Sequence, residues 1–109
     1  MYFKYIKERL GKDSIQYEDK AFAIFFDYPA ENAIYVEDVY VSPDYRRSGI
    51  GEKIMEDMCN LAKEANRKYL LGSVDITSNN PEASLIGMLK NDFKLYKTDD
   101  SMLYVRKEI

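Results

Sequence analysis

The hydrophobic pattern begins with strand-like segments. A continuous apolar and aromatic run covers residues 21–28, and a second apolar run covers residues 33–41. The sequence Pro29-Ala30-Glu31-Asn32 between them is typical of a turn, so the two runs are predicted to pair as an antiparallel hairpin. Residues 2–7 alternate partly between apolar and polar side chains and predict a further strand, whereas residues 14–17 are too short to assign.

The strongest periodicity follows Gly49. Apolar side chains recur at spacings of three and four from Ile50 onward, and charged side chains occupy the opposite face. This pattern predicts an amphipathic helix that extends to about residue 66. Its apolar positions are Ile50, Ile54, Met55, Met58, Leu61, Ala62 and Ala65.

Three further elements complete the chain. Residues 69–77 form an apolar run that follows a helical crossover, so this strand is predicted to pair in parallel with residues 33–41. A shorter helix is predicted over residues 81–91, with a proline in its first turn, and residues 93–106 predict a terminal hairpin. The order predicts one α+β (α/β) domain with a mixed, mostly antiparallel sheet of six or seven strands and two main helices.

The composition excludes several kinds of site. The chain has 109 residues, is 46% hydrophobic and 32% charged, and carries a formal charge of −3 without a basic block, which argues against nucleic-acid binding. It has no histidine, so Ser-His-Asp and Cys-His nucleophiles and histidine metal sites are excluded, and we expect no metal. The single Cys59 cannot form an internal disulfide, and we expect it to pack in its helix in a reducing, cytoplasmic setting. No run of roughly 18 apolar residues predicts a membrane span.

A candidate anion-binding loop precedes the long helix. The segment Arg46-Arg47-Ser48-Gly49-Ile50-Gly51 leads into the first helical turn, where backbone N–H groups lack partners and the helix dipole is positive. The two glycines leave the backbone open to a phosphate oxygen, and the two arginines add charged donors. The segment lacks the Gly-Lys-Ser/Thr ending of a Walker loop and the third glycine of a dinucleotide fingerprint. It therefore predicts a diphosphate site, with an arginine pair before an ordinary glycine turn as the alternative.

A longer stretch around this loop resembles a known family. From Tyr35 to Gly51 the sequence is Tyr-Val-Glu-Asp-Val-Tyr-Val-Ser-Pro-Asp-Tyr-Arg-Arg-Ser-Gly-Ile-Gly, which resembles the cofactor motif of the GNAT superfamily of N-acetyltransferases. Within that superfamily, the Glu-Asp pair and the Asp-Tyr-Arg segment are most similar to the diamine (spermidine/spermine) acetyltransferases. The resemblance implies a compact GNAT-like domain over residues 1–109 that transfers an acetyl group directly from acetyl-CoA to a primary amine on a small molecule or a protein.

The resemblance also implies the cofactor contacts. The backbone of residues 39–41 would lie along the pantetheine arm in a splayed strand, and the N–H groups of residues 47–51 would hold the pyrophosphate. The implied cofactor-binding residues are Val39, Tyr40, Val41, Arg46, Arg47, Ser48, Gly49, Ile50, Gly51, Asn80 and Ser84.

Two acidic residues precede the pantetheine segment. Acetyl transfer requires an amine that has lost its proton, so Glu37 and Asp38 are candidate catalytic residues that would bind the cation and accept the proton, directly or through water. Strict alternation along the strand places their side chains on opposite faces, so only one is predicted to face the acceptor. The resemblance favours Glu37, because diamine acetyltransferases have a substrate-contacting glutamate there. The alternative is that both are solvated strand carboxylates.

The chain departs from the family pattern in its second helix. Many relatives have a tyrosine that protonates the leaving thiolate at the position of Met88, and a glycine at the position of Asp92. Methionine cannot donate a proton, so the thiolate is protonated by another tyrosine, by water, or without any general acid. Met88 itself is predicted to pack in the core. The departure favours a second hypothesis, a catalytically weak or inactive CoA-binding or interaction module. A third is a structural α+β protein that binds no CoA.

The N-terminal half is also short for this family. Relatives place two helices between their first two strands, whereas residues 8–19 leave room for about half of that length. We therefore expect the wall on the acceptor side to be nearly absent. Either a protein or other large amine enters an open site, or a second copy completes the site in a homodimer.

Overall fold

The computed structural model describes every residue from Met1 to Ile109. The elements are, in chain order, α1 (Tyr2–Leu10), β1 (Asp13–Tyr17), β2 (Ala21–Tyr28), β3 (Ala33–Val41), α2 (Ile50–Glu64), β4 (Tyr69–Asp75), α3 (Pro81–Lys90), β5 (Lys94–Asp99) and β6 (Met102–Glu108). The six strands form one sheet in the order β1-β2-β3-β4-β6-β5, and every neighbouring pair is antiparallel except β3 and β4. The predicted fold class is confirmed.

The prediction of a strand at residues 2–7 was wrong, because these residues belong to the helix α1. Two of its aromatic side chains, Tyr2 and Tyr5, are 58% and 54% exposed. Only Ile6 of this helix is buried. The helix ends at Gly11, which has a φ of 67° and donates its N–H to the Lys7 carbonyl, as a left-handed cap does. One helix therefore precedes the sheet in this chain, and the ambiguous residues 14–17 lie in β1.

The main core lies between the sheet and the pair α2 and α3. The side chains of Ile54, Met58 and Ala62 on α2 are fully buried, at the spacing of four that the sequence predicted. Cys59 and Met88 are partly buried and pack against this cluster, which confirms their predicted packing roles. The helix α1 lies on the opposite face of the sheet.

Contacts between α1 and β2 hold that helix in place. The Phe3 ring lies 5.2 Å from the Phe22 ring in an edge-on arrangement. Ile6 and Ile24 are both buried and line a common pocket beneath the helix. The two faces of the sheet therefore differ, with the large core on one side and a single short helix on the other.

The parallel pairing of β3 and β4 is confirmed, but it is short. It joins Ala33 to Tyr69, Ile34 to Leu70 and Tyr35 to Leu71, and no further pairs follow. Beyond Tyr35, β3 continues along β2 while β4 continues along β6. The two central strands thus separate, and their facing edges leave a cleft open toward α2 and α3.

A β-bulge interrupts β3 at the acidic pair. Ile24 pairs with Asp38 and Phe25 pairs with Val36, so Glu37 is an extra residue with no partner on β2. In a β-bulge, two residues of one strand lie opposite a single residue of its partner, so the alternation of side chains between the two faces of the sheet shifts by one position. The side chains that pack on the core are Ile34 and Val36 before the bulge and Val39 and Val41 after it. Glu37 and Asp38 both lie between these core-facing positions, so the prediction that strict alternation separates them was wrong.

Candidate active site

The largest cavity is a cleft of about 600 Å³ between the separated strands β3 and β4. The helices α2 and α3 close its sides, and carboxylates and hydroxyls lie among its apolar lining residues. Its lining residues include Glu37, Asp38, Val39, Gly51, Gly72, Ser73, Ser84 and Met88. The cleft therefore combines apolar walls with polar groups, as small-molecule sites do.

The loop between β3 and α2 presents unpaired backbone donors. Gly49 caps the start of α2 with a φ of 90°, and Arg47 also has a positive φ, of 64°. None of the N–H groups of residues 47–51 donates a hydrogen bond within the chain. These unpaired donors lie at the positive end of a 15-residue helix, where the helix dipole favours negative charge. Gly51 lines the cleft, so the loop and the cleft are continuous.

Side chains of this loop stabilise its shape rather than fill the cleft. The Arg46 Nε donates to the Val41 carbonyl at 3.0 Å and so connects the loop to the end of β3. The Ser48 hydroxyl donates to the Tyr45 carbonyl. Arg46 and Arg47 are both exposed, and neither lines the cleft. The predicted arginine pair is therefore exposed and outside the cleft, and the Arg46 guanidinium bonds to the end of β3.

The structure adds two cations that the sequence analysis did not select. Lys20 and Lys53 line a pocket of about 500 Å³ on the outer side of the loop, together with Ser48 and Gly49. Lys53 Nζ lies 2.9 Å from an Asp57 carboxylate oxygen, and that carboxylate also accepts a hydrogen bond from the Tyr17 hydroxyl. The hydrogen bond from Tyr17, followed by that from Lys53, lowers the pKa of Asp57 below its usual value. The Lys53–Asp57 pair has the i,i+4 spacing of a predicted helix, but only the fold brings Tyr17 and Lys20 beside this helix.

The predicted cofactor residues divide into two sets. Val39, Gly51 and Ser84 line the cleft, whereas Asn80 does not. Asn80 is exposed and caps α3 in a left-handed conformation, with a φ of 53° and no side-chain capping bond. The Tyr40 ring stacks on Phe22, 5.6 Å away on the α1 side of the sheet, so Tyr40 faces away from the core side.

The acidic pair lies where two cavities meet. Glu37 and Asp38 line the cleft, and both also line a smaller pocket of about 240 Å³ under α1. Lys12 lines this second pocket, and its Nζ lies 2.6 Å from Glu37 Oε1. Lys12 was missed because it follows the end of α1, an element that the sequence pattern did not predict.

A half-buried hydroxyl pair borders the cleft opposite the acids. The Tyr35 hydroxyl donates to Ser73 Oγ at 2.6 Å, and Ser73 lines the cleft. Burial is the main cause that raises the pKa of Tyr35, so its hydroxyl is protonated at neutral pH. None of the ten tyrosines lines the cleft itself. Met88 lines it, and its Cε would lie 3.4 Å from a Cβ added to Gly72, so methionine fills the space above β4.

Two further observations concern metals and membranes. No group of three or more Cys, Asp or Glu side chains is placed to hold a metal ion. None of the helices combines the length and the apolar character required to cross a membrane.

The sequence of this chain matches a known family over most of its length. The model of the acetyltransferase (GNAT) family matches residues 17–93, which include the cleft, the loop and α2. The chain belongs to this family. The GNAT resemblance of the cofactor motif is thereby confirmed. No curated protein matches the chain significantly.

Solved structures share the GNAT fold with this chain. One is the PaiA N-acetyltransferase from Thermoplasma acidophilum in complex with coenzyme A, with a TM-score of 0.74, 17% identity, and coverage of 95% of this chain and 66% of that one. Another is a GNAT family acetyltransferase from Elizabethkingia anophelis with acetyl-CoA bound. It has a TM-score of 0.74 and 15% identity, and the match covers 97% of this chain and 82% of that one. Nourseothricin acetyltransferase has a TM-score of 0.69 and 22% identity, with coverage of 82% and 57%. The chain thus spans about 57% and 66% of the first two relatives' lengths.

Proposed function

We propose that this GNAT domain binds acetyl-CoA in the cleft and transfers its acetyl group directly to a primary amine. The observation that carries the proposal is the continuity of three features: the unpaired N–H groups of residues 47–51, the open edge of β3, and the carboxylates at the far end of the cleft. Two structural neighbours bear CoA or acetyl-CoA, which supports the choice of ligand.

The cofactor would lie along the cleft with its diphosphate on the loop. The N–H groups of residues 47–51 would hold the diphosphate, and Arg46 and Arg47 would add charge from outside. The pantetheine arm would follow residues 39–41, because β4 does not pair with that edge of β3. Ser84 would contact the arm from α3. Asn80 lies in the chain between Ser78 and Ala83, which both line the cleft. This arrangement brings the thioester toward the bulge at Glu37.

The acceptor would approach from the α1 side and meet the acidic pair. An ammonium has no lone pair, so Glu37 would take a proton from it, directly or through a water molecule, while Asp38 adds negative charge for a cationic substrate. The neutral amine then attacks the thioester carbonyl carbon, and the CoA thiolate leaves. Adjacent carboxylates suit a cationic amine, and the diamine-like motif supports a substrate of that class.

A proton for the thiolate would come from the hydroxyl pair on β3 and β4. Tyr35 is protonated and bonded to Ser73, whose hydroxyl lines the cleft, so Ser73 could pass a proton and be reprotonated by Tyr35. This pair replaces the tyrosine that many relatives carry at the position of Met88.

Substitution of Glu37 tests the acceptor half of the proposal. We expect Glu37→Gln to bind acetyl-CoA as the wild type does but to release CoA thiol about 100-fold more slowly on a panel of amines, which is the contribution of a positioned base. Glu64→Gln removes a comparable exposed carboxylate at the end of α2 and serves as the matched control. Full turnover in Glu37→Gln, with unchanged binding, would remove this residue from the mechanism.

A second candidate is a CoA-binding module with little or no catalysis. It is favoured by one observation, that Met88 and no tyrosine lines the cleft. Saturable CoA binding without thiol release on any amine or peptide supports this candidate, and turnover on a single acceptor excludes it.

We also propose that the domain acts as a homodimer in the cytoplasm. Only α1 covers the acceptor-side pocket, so a second copy could complete its wall, and the unpaired Cys59 suits a reducing compartment. Sedimentation of the full chain as a strict monomer would contradict the dimer.

A further inference from the structure

The side chain of Lys12 occupies a defined position beside the proposed base. The left-handed Gly11 ends α1 and turns the chain, and the Lys12 N–H then bonds to the Ile6 carbonyl at 3.2 Å. From this anchored backbone the ammonium reaches Glu37 Oε1 at 2.6 Å, and the side chain is only 27% exposed. The Lys12 side chain is therefore positioned by its backbone hydrogen bond and by its ion pair with Glu37.

The Lys12 ammonium lies against the carboxylate to which the proposed mechanism assigns the acceptor amine. Lys12 lines the pocket under α1, and Glu37 lines both that pocket and the cleft. An amine bound to Glu37 from the α1 side is where the proposed mechanism requires a nucleophile. Lys12 supplies a primary amine at that place from within the chain.

We propose that Lys12 is an acetyl acceptor and that the domain acetylates its own Lys12 side chain. This inference rests on the proposed function. Glu37 takes one proton from the Lys12 ammonium, and the nitrogen lone pair attacks the carbonyl carbon of acetyl-CoA. An N–C bond forms, the C–S bond breaks, and the CoA thiolate takes up a proton, while the nitrogen loses a second proton to solvent. The products are Nε-acetyl-lysine, CoA thiol and one released proton.

Acetylation would change the site electrostatically. The acetylated side chain has no charge, so the ion pair with Glu37 is lost and that carboxylate becomes available to an external amine. Before modification, an external amine must displace the Lys12 ammonium from Glu37. Self-acetylation would therefore precede full activity on other acceptors.

Time-resolved peptide mass spectrometry of the full chain with acetyl-CoA tests the proposal. Lys7 is the internal control, because it also pairs with a carboxylate, that of Asp13, but lies outside both cavities and is 65% exposed. We expect acetylation of Lys12 to be roughly 100-fold faster than that of Lys7, as for an amine served by a positioned base. The rate should not depend on protein concentration, and Glu37→Gln should lower it to that of Lys7.

Three outcomes overturn the inference. Modification of Lys12 no faster than Lys7 indicates chemical acetylation only, and a rate that rises with protein concentration indicates transfer between chains. An undiminished rate in Glu37→Gln, in a variant whose thermal unfolding matches that of the wild type, removes the assigned base. Calorimetric binding of acetyl-CoA and thiol release with an external amine are measured on the same preparation. If both succeed while Lys12 is unmodified, this inference alone fails; if acetyl-CoA does not bind, the proposed function fails with it.

Discussion

Replacement of Gly51 by alanine separates the stability of the fold from cofactor binding. Gly51 is the second residue of α2 and lines the cleft, and beyond its chain neighbours and its own helix backbone no atom lies within 4 Å of where its Cβ would be. Its φ is not positive, so alanine fits the helical backbone without strain. A glycine in a helix costs roughly 0.5–1 kcal/mol relative to alanine. We therefore expect Gly51→Ala to raise the free energy of unfolding by about that amount, and the Tm by about 2–6 °C for a domain of this size.

The same methyl group should weaken binding. It would project into the cleft beside the N–H groups that are proposed to hold the diphosphate, and so prevent the close approach of a phosphate oxygen. A hydrogen bond to a charged group contributes about 1.5–3 kcal/mol, and its loss corresponds to a rise of about 10- to 160-fold in the Kd for CoA. Stability and affinity are thus predicted to change in opposite directions.

Thermal unfolding and calorimetric titration with CoA measure the two effects on one preparation. Asn60→Ala is the matched control, because it improves helix propensity at an exposed position of α2 that does not line the cleft. It should raise the Tm and leave the Kd unchanged. If Gly51→Ala binds CoA as tightly as Asn60→Ala does, the diphosphate does not lie on this loop.

Three other substitutions test the fold around the site. Gly49→Ala should lower the free energy of unfolding by about 1–2 kcal/mol, because Gly49 has a φ of 90° that a Cβ disfavours, and urea unfolding with CoA titration should reveal losses of both stability and affinity. Met58→Ala should cost about 2–5 kcal/mol in the same urea experiment, since Met58 is fully buried, whereas Leu89→Ala at an exposed position should cost little. The Arg67 guanidinium lies 2.7 Å from each Asp27 carboxylate oxygen and lowers the pKa of Asp27. This ion pair therefore stabilises the fold at pH values above the ordinary pKa of 3.8, and the stabilisation is lost as the pH falls through the lower pKa of the folded state. The difference in unfolding free energy between wild type and Asp27→Asn should therefore shrink below that pH; a constant difference would refute the assignment.

Much of the fold could be predicted from local patterns. The strand at residues 33–41 and the start of α2 at Ile50 occur where they were predicted, because turn residues bound the strand and Gly49 precedes the helix. The parallel pairing of β3 and β4 also followed, since a helical crossover joins the two strands. These features depend on short-range sequence signals that a single chain carries.

The missed features depend on contacts between distant segments. The helix α1 buries only Ile6 and exposes two tyrosines, so its hydrophobic pattern resembled a strand; Gly11 and the basic last turn were the available signals for a helix end. The bulge at Glu37 arises from the register between β2 and β3, and its trace in β3 is that two acids, rather than one, separate the core-facing Val36 and Val39. The contact of Lys12 with Glu37 requires both of these features and was unpredictable for that reason.

The short ladder between β3 and β4 has a mechanical consequence. Only three residue pairs join the half-sheet β1-β2-β3 to the half-sheet β4-β6-β5, and beyond them the two strands diverge toward the bulge. A cofactor that hydrogen-bonds to the open edge of β3 and also contacts α3 would replace the missing rungs. Acetyl-CoA would then be a structural brace as well as a reactant, and amide hydrogen exchange in both half-sheets would slow when it binds.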